Sequence, residues 1–316
     1  MKILRAGVIG VGYLGQYHAE KYTKIPGVAL AGVADADRSR AAQIAEKLVT
    51  RAAADAAALI GSVDMVSIVT PTVLHHRVAK QFLEAGIHVL LEKPMTVTLD
   101  EADELIALAK QRGVVLQVGH IERYNPAVAA VRNRLKAPRY IQAERSAPFT
   151  VRCTDVNVVL DLMIHDLDIV AALAGARPKE VSAGGSAIIT RQIDTAMARI
   201  LFENGCVADV AASRVSDAKK REMKVFDGPA MYTVDYQAQK ALVSQRGPGP
   251  VPELVAEEIP VERRDTLFEE ISDFIRCVRE DRRPLVAGEE GRNALALAQM
   301  ITQNLEQGVT GFVPVP

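Results

Sequence analysis

Residues 4–15 read LRAGVIGVGYLG, and this stretch decides the fold of the first part of the chain. Its apolar run predicts a β-strand, and the three glycines that follow stand in the order G-x-G-x-x-G. The first glycine permits a sharp turn, the second lets the backbone approach a pyrophosphate, and the third allows close helix packing. The amino end of the following helix supplies an anion site. The residues predicted to bind a dinucleotide here are Gly10, Gly12, Tyr13, Leu14 and Gly15.

An acidic residue, Asp35, stands at the predicted end of the second strand, 20 residues after Gly15. A carboxylate there accepts hydrogen bonds from the adenosine ribose 2′-hydroxyl and repels a 2′-phosphate. We therefore expect NAD rather than NADP as the cofactor. Arg38 leaves a second interpretation open, because its guanidinium could stack on adenine, bind a 2′-phosphate or begin a solvated helix face.

The length of the chain predicts two domains, since 316 residues exceed what one compact core usually serves. Up to about residue 120, short β-branched runs alternate with helical stretches, which is the pattern of a doubly wound parallel sheet, the Rossmann fold. Beyond it, consecutive strands predict an α+β domain with a largely antiparallel sheet. We expect an α/β protein with an NAD-binding domain at residues 1–120 and a domain for substrate binding and oligomerisation at residues 121–316.

Hydrophobic periodicity places the individual elements. In the first domain we predict strands at 4–9, 29–34, 65–70, 88–91 and 114–119, and helices at 16–24, 39–48, 72–85 and 99–111. In the second we predict helices at 126–135, 158–174, 267–280 and 288–307, and strands at 140–145 and throughout 180–261. Asn204-Gly205 is typical of a two-residue hairpin turn.

Charge and composition exclude several functional classes. The chain has 38 Lys and Arg against 39 Asp and Glu, so it lacks a basic excess for nucleic acid or an anionic membrane. No apolar stretch reaches the roughly 18 residues of a membrane span, and Arg5 interrupts the amino-terminal run, unlike a signal peptide. We expect a cytoplasmic protein. Three cysteines, Cys153, Cys206 and Cys277, are too far apart for a disulfide framework or a paired zinc motif.

Residues 90–94 read LLEKP and place a lysine at the carboxyl end of a predicted parallel strand. Open α/β sheets bind their ligands at that edge, so Lys93 is predicted to point toward the nicotinamide end of the cofactor. The simpler alternative is a lysine facing water at a strand end. Glu92 and Pro94 count against it, since they fix the backbone on either side.

Polar residues interrupt the apolar stretch 158–174. Asp161, His165 and Asp168 are spaced i, i+4 and i+7, so they share one face of a helix that is otherwise apolar nearly all round. A buried polar stripe must be paired or functional. A structural Asp–His pair remains an alternative, whereas a metal site is disfavoured because no further ligand stands at a recognisable spacing.

With these motifs, the chain resembles the glucose-fructose oxidoreductase, inositol dehydrogenase and MocA (GFO/IDH/MocA) family over essentially its full length. The resemblance rests on residues 10–15, Asp35, residues 70–75, residues 92–94 and residues 161–165. Residues 118–126 and 154–168 further resemble bacterial nucleotide-sugar 3-dehydrogenases, which oxidise the C3 hydroxyl of a UDP-N-acetylhexosamine such as UDP-N-acetylglucosamine. The resemblance implies an NAD-dependent dehydrogenase in which Thr70, Pro71, His75, Glu92 and Lys93 line the nicotinamide side of the cleft.

Oxidation of a secondary alcohol requires a base for the hydroxyl proton and a cation near the nascent alkoxide. His165 suits the base, with Asp161 setting its tautomer, and Lys93 suits the cation. Burial beside a positive nicotinamide should lower the pKa of Lys93, so the two residues could also exchange these roles. The catalytic set predicted is therefore Lys93, His165 and Asp161, with no metal.

Substrate contacts are predicted just past the last parallel strand, from Arg123, Tyr124 and Asn125 together with Lys93 and His165. Capping of the following helix is the alternative for the first three. A basic run could meet a diphosphate or be a solvated face; its members are Arg214, Lys219, Lys220 and Arg221.

Two other functions stay open, a free-sugar or inositol dehydrogenase and a dinucleotide-binding regulator without turnover. The complete reacting set favours an enzyme. We also expect a homo-oligomer, dimer or tetramer, since one face of the antiparallel sheet should remain to be covered. Residues expected on that face are Ile200, Phe202, Val207 and Ala211.

Overall fold

The computed structural model describes residues 2–151 and 156–308, and the backbone of residues 313–314. The chain forms two compact units, the first from Met1–Ile121 with Asp265–Arg292, the second from Glu122–Arg264 with Asn293–Pro316. The predicted division between residues 120 and 121 lies one residue before the first boundary between these units. However, the segment Asp265–Arg292, which the sequence placed in the second domain, belongs by its contacts to the first unit.

The first unit is built on a parallel sheet. Its elements up to Ile121 are β1 (Leu4–Ile9), α1 (Gly15–Tyr22), β2 (Val28–Ala34), α2 (Arg38–Leu48), β3 (Ala52–Ala53), β4 (Met65–Ile68), α3 (His75–Glu84), β5 (His88–Glu92), α4 (Leu99–Arg112) and β6 (Leu116–Gly119). The strands lie in the order β3-β2-β1-β4-β5-β6, every pair parallel. This confirms the doubly wound sheet. The order reverses between β1 and β4, and ligands bind beyond the carboxyl ends of strands at such a point.

The second unit is built on a mostly antiparallel sheet. Its elements are α5 (Pro126–Arg132), β7 (Tyr140–Ser146), α6 (Ile164–Ala174), β8 (Pro178–Ser186), β9 (Thr195–Phe202), β10 (Val207–Ser213), β11 (Lys220–Asp227), β12 (Ala230–Asp235), β13 (Lys240–Arg246) and β14 (Leu254–Ile259). With β15 (Val313–Pro314) the order is β14-β13-β12-β11-β7-β10-β9-β8-β15, and β7 and β10 are the parallel pair among the described strands. The predicted α+β arrangement is confirmed.

Two further helices follow β14 in the chain. They are α7 (Thr266–Glu280) and α8 (Gly288–Glu306), close to the predicted bounds. Helix α7 contributes Ile271 and Phe274 to the buried core of the first unit, where they pack with residues of the parallel sheet such as Val8 and Met65. A helix from the far end of the sequence therefore covers part of the parallel sheet. No helix in the described part of the chain combines the length and apolarity needed to cross a membrane.

Two local predictions need correction. The stretch predicted as one α-helix at 158–174 begins with a π-helical turn, Val159–Met163, before α6 starts at Ile164. The hairpin around Asn204-Gly205 is present, but residues 203–206 form a four-residue connection between β9 and β10. Gly205 has φ of +82°, which explains the preference for glycine there.

The two faces of the second sheet are assigned by cross-strand pairing. Ile200 and Phe202 are fully buried in the core of the unit, so their expected place on the open face is wrong. Val207 pairs with Leu201 and Ala211 with Met197, and these four residues are partly or largely exposed. Successive residues of a strand alternate between faces, and the prediction mixed the two sets.

Candidate functional site

The glycine loop between β1 and α1 has the backbone geometry of a phosphate-binding turn. Gly10 has φ of +81°, and a methyl group at Gly15 would overlap the carbonyl oxygen of Gly10. At Gly12 an added Cβ would meet only the Arg40 guanidinium, 3.9 Å away. Thus the first and third glycines are required by the fold, while the second leaves space beside the backbone where a ligand can approach.

Asp35 follows β2 and is hydrogen-bonded to that loop. Its Oδ2 accepts from the backbone N–H of Val11 at 2.8 Å and its Oδ1 from the N–H of Asp37 at 2.9 Å. The carboxylate is therefore held at the glycine loop, and its remaining lone pairs can accept from a ribose hydroxyl. Arg38 is exposed at the start of α2, whereas Arg40, which sequence reasoning missed, lies nearer to Gly12.

The loop after β4 contains Thr70 and Pro71 and leads into α3 at His75. The His75 ring lies between two backbone carbonyls, with Nε2 2.8 Å from the oxygen of Thr70 and Nδ1 2.9 Å from that of Pro94. Burial lowers the pKa of His75, although both carbonyls oppose this. His75 thus links the two loops predicted to line the nicotinamide. The buried Thr70 Oγ1 has no hydrogen-bond partner among the described residues and is available to a ligand.

Lys93 is half-buried directly after β5, where the sequence predicted it. Its backbone N–H donates to Oε2 of the preceding Glu92 at 3.1 Å. Oε1 of Glu92 lies 3.3 Å from Nε2 of His18, a buried residue of α1. Burial alone would raise the pKa of Glu92, but His18 and Lys93 outweigh it and hold that pKa below its ordinary value.

The polar residues of the segment 158–174 are in two different local structures. Asp161 lies in the π-helical turn and His165 in the first turn of α6, both half-buried. Such π-helical turns are frequent at functional sites. Asp168 is buried and binds Arg123, whose Nη1 is 3.3 Å from its Oδ1. The second unit thus brings Asp168 and Arg123 together; the predicted motif residue Thr154 lies outside the described residues.

Asn125 adopts the capping role that was the alternative to substrate contact. Its Oδ1 accepts from the N–H of Ala127 at the start of α5. Its Nδ2 donates to Oε2 of Glu122 at 3.2 Å and to the carbonyl of Tyr236 at 3.0 Å. The neighbouring Tyr124 is half-buried.

A buried ionic cluster in the second unit was missed by sequence reasoning. Arg145 binds both carboxylate oxygens of Asp166, at 2.7 and 3.1 Å, and Oε1 of Glu122 at 3.2 Å. Its guanidinium also lies over the Tyr236 ring, 5.3 Å from the centroid. Asp166 adjoins His165, and Glu122 adjoins Arg123, so this Arg145 cluster fixes the backbone beside two predicted site residues.

The basic run of the second unit does not form one surface. Arg214 is buried and ion-paired with Asp194 at 3.2 Å, and Lys220 pairs with Glu144 at 2.6 Å. Burial and the nearby Arg145 lower the pKa of the half-buried Arg221. Lys219 is exposed. Of these four residues, Arg221 therefore has a positive charge that a bound anion would stabilise.

The two cysteines within the described residues have no feature of a reactive site. Cys206 and Cys277 are buried free thiols, and burial raises the pKa of Cys277 to about 11. A thiol with a raised pKa is a poor nucleophile at neutral pH. Cys153 lies outside the described residues.

Comparison with known proteins agrees with both units. Residues 4–120 match the domain described as oxidoreductase family, NAD-binding Rossmann fold, and residues 128–228 match the GFO/IDH/MocA C-terminal domain. UDP-N-acetylglucosamine 3-dehydrogenase of Acidithiobacillus ferrooxidans is 43% identical over 96% of this chain and 97% of its own length. A solved structure of that enzyme has a TM-score of 0.93 and covers 97% of this chain and 99% of that one. The scyllo-inositol 2-dehydrogenase (NAD(+)) of Bacillus subtilis is 27% identical over 97% of this chain and 95% of its own. The chain therefore belongs to the GFO/IDH/MocA family of NAD-binding oxidoreductases.

Proposed function

We propose that this chain is an NAD-dependent UDP-N-acetylglucosamine 3-dehydrogenase, which oxidises the C3 hydroxyl of the sugar to a ketone. The main support is the 43% identity to the Acidithiobacillus ferrooxidans enzyme over 96% of the chain. One fold serves many substrates, so the proposal depends on that identity and on the residues of the two units rather than on the architecture alone.

The residues of the first unit fit a dinucleotide. The space beside Gly12, the fixed Asp35 carboxylate and the buried Thr70 hydroxyl provide room, an acceptor for a ribose hydroxyl and a hydrogen-bonding group. The chemistry that bound NAD would supply is an acceptor for the hydride from the sugar carbon. Because Asp35 repels a 2′-phosphate, NAD should bind more tightly than NADP, and Asp35→Ala should narrow the difference in a calorimetric titration of both cofactors.

The hydroxyl proton must be taken up by the protein. We assign this step to His165 and Lys93, one as base and the other as hydrogen-bond donor to the developing alkoxide, with Asp161 orienting the imidazole. Arg123 and Tyr124 remain the candidates for sugar contacts, and Arg123 would be held in place by Asp168. Arg221 is our candidate for the diphosphate. Arg221→Met should therefore weaken UDP binding more than Lys219→Met does.

The proposal is tested by ligand-dependent thermal stability, since a ligand that binds the native state raises the melting temperature by mass action. With NAD present, UDP alone and UDP-N-acetylglucosamine should each raise it, because much of the substrate's binding energy would come from its non-reacting nucleotide. UDP-N-acetylglucosamine should also reduce NAD to NADH, and more extensively when an aminotransferase and an amino donor remove the ketone.

Free scyllo-inositol and other polyols are the comparison ligands, because the Bacillus subtilis relative acts on scyllo-inositol. If a polyol raises the melting temperature and reduces NAD while neither UDP nor any UDP-hexosamine does, the chain is a polyol dehydrogenase. If ligands bind but no NADH forms under any condition, the regulator alternative is favoured.

A homo-oligomer is part of the proposal, formed by pairing of the open sheet face of the second unit with a second copy. Met197 is 50% exposed there, and Leu201, Val207 and Ala211 extend the apolar surface. Light scattering at micromolar concentration should give a dimer or tetramer, and Met197→Lys should shift it toward monomer. A monomeric wild type would contradict this assignment. The cytoplasmic location remains a prediction.

A further inference from the structure

Three ionisable side chains of the first unit meet in a buried cluster behind Lys93. They are His18 of α1, Glu92 of β5 and Glu270 of α7, with one ligand atom of each within 4.8 Å of the others. His18 and Glu270 are completely buried, and Glu92 is 8% exposed. We call these residues the Glu270 cluster. Two carboxyl groups so close together away from water repel each other strongly if both are ionised.

Glu270 is in an environment unsuited to a charge. Neither of its carboxyl oxygens has a hydrogen-bond partner among the described residues. The backbone carbonyl of Glu270 accepts a hydrogen bond from Nε2 of Gln117 at 3.1 Å, but this bond does not involve the side-chain carboxyl group. An isolated buried carboxylate is so costly that such a group takes up a proton instead.

Glu92 is in the opposite situation. It lies 3.3 Å from His18 and accepts a hydrogen bond from the backbone of Lys93. The other ring nitrogen of His18, Nδ1, is 3.2 Å from Oγ of Ser67, which also lies 2.8 Å from the hydroxyl of Tyr22. The Glu92 carboxylate therefore has an imidazole and an N–H group to stabilise its charge.

We propose that Glu270 is held as a neutral carboxylic acid beside an ionised Glu92, and that the Glu270 cluster positions the backbone of Lys93. The cluster then has a single carboxylate, directed at the residue we assign to catalysis. Glu92 and Glu270 are positioning residues in this scheme, because they act through Lys93. The positioning role of the cluster rests on the proposed function of Lys93, whereas the charge state of Glu270 is measured without any substrate.

The other charged groups near Glu270 favour the same state. Burial, with the neighbouring Glu92 and Asp273, raises the pKa of Glu270 well above its ordinary range. Asp273 is itself satisfied by Arg282 at 2.5 Å and Arg276 at 3.4 Å. The two charged groups that raise the pKa of Glu270 are both acidic. They are Glu92 of β5 and Asp273 of the same helix.

A metal ion is the competing occupant of such a cluster. The donor atoms of the three residues lie within 4.8 Å of one another, and His18 Nε2 is 3.3 Å from Glu92 Oε1, close to the roughly 3.4 Å between donors around a tetrahedral ion, so the geometry would admit one. A metal would also require Glu270 to be ionised. Metal content therefore distinguishes the two possibilities.

The first test is infrared spectroscopy of the purified protein at pH 7, combined with elemental analysis for divalent metals. The wild type should show the carbonyl stretch of a neutral carboxylic acid, Glu270→Gln should lose it, and Glu280→Gln, an exposed residue of the same helix, should retain it. If Glu270→Gln does not fold, labelling the wild type with ¹³C-glutamate should shift the same band. Absence of the band, or one bound divalent metal per chain, would overturn the proposal.

The second test concerns Lys93 and uses whichever sugar supports turnover. Glu92→Gln removes the carboxylate, so the limb of the pH–rate profile due to Lys93 should move to lower pH by a unit or more. Glu270→Gln should leave that limb where it is in the wild type, because an uncharged group replaces an uncharged group. Equal shifts in both variants would show that Glu270 is ionised. If no sugar supports turnover, the proposed function fails while the infrared result still stands.

Discussion

The two units hold their candidate catalytic residues by opposite electrostatic means. In the second unit, Arg145 neutralises Glu122 and Asp166 in direct ion pairs behind His165. In the first unit, Glu92 and Glu270 lie behind Lys93 with an imidazole as their buried neighbour. Two clusters with the same number of carboxyl groups therefore differ in what compensates them, a guanidinium in one and a proton in the other.

The difference has an energetic consequence. An ion-paired cluster depends on each member, since removal of one partner leaves an uncompensated buried charge. A buried protonated carboxyl group makes the stability of its unit depend on pH, because its environment favours the neutral form over the charged one. The second unit should therefore be sensitive to substitution of its arginine, and the first to a rise in pH.

The largest expected effect is on the residues that the two clusters hold. Lys93→Ala and His165→Ala should each reduce turnover of UDP-N-acetylglucosamine about 10²–10⁴-fold, the usual contribution of general acid–base steps. NAD affinity, measured by calorimetry, should remain near that of the wild type. Lys110→Ala and His76→Ala are controls. Near-normal turnover in the His165 variant would remove it from the mechanism.

Loss of the central cation should damage the second unit. We expect Arg145→Met to lower the free energy of unfolding by about 3–5 kcal/mol in urea, since Glu122 and Asp166 lose their partner. Arg264→Met breaks an exposed ion pair with Glu262 and should cost less than about 1 kcal/mol. Adding Asp166→Asn to Arg145→Met should recover part of the loss. A further loss in the double variant would contradict the ion-pair explanation.

The first unit should respond to pH through Glu270. Its pKa is raised in the native state, so the wild type should lose stability as pH rises above the unfolded value near 4.3. The glutamine of Glu270→Gln cannot ionise. The free energy of unfolding of this variant, relative to that of the wild type, should therefore rise by up to about 1.4 kcal/mol per pH unit. Thermal melts at pH 5, 6 and 7 measure the difference. If the variant instead becomes less stable relative to the wild type as pH rises, Glu270 is ionised in the native protein.

A buried carboxylate of the second unit should show the opposite sign. Asp194 accepts hydrogen bonds from three backbone N–H groups at 2.7–2.9 Å and from the Thr190 hydroxyl, which hold its pKa below the ordinary value despite burial. Asp194→Asn should cost about 1–3 kcal/mol at pH 7. Because the stability comes from the charged form, the difference from wild type should shrink as pH falls below about 4. A difference that does not change with pH would contradict this.

Local pattern was enough for most of the fold. The glycine loop, the β-branched runs and the hairpin at Asn204-Gly205 placed strands and turns, because their causes lie in neighbouring residues. Lys93 was found for the same reason, since it directly follows a strand. The π-helical turn before α6 could not be predicted, because its hydrogen bonds span only one residue more than those of an α-helix, and the apolar pattern of a single turn does not distinguish the two.

Residues of the two buried clusters were missed because their partners are far away in sequence. Glu270 reads as a solvated helix residue until it is seen between Leu267 and Phe274, at spacing that puts it on the apolar face of α7. His18 has the same signal, one turn before the buried Tyr22. An ionisable residue within the apolar face of a helix predicts that the residue has a buried partner. The pattern does not identify that partner.

The return of the chain to the first unit has a consequence for synthesis. Residues 1–121 emerge first from the ribosome, yet Ile271, Phe274 and the Glu270 carboxyl that complete that unit come about 150 residues later. Domains generally fold as units during translation, so the first unit keeps apolar surface uncovered while strands β7 to β14 of the second sheet are synthesised. A chain truncated at residue 121 should therefore aggregate. The first unit is not expected to fold independently of the residues that follow the second unit's strands.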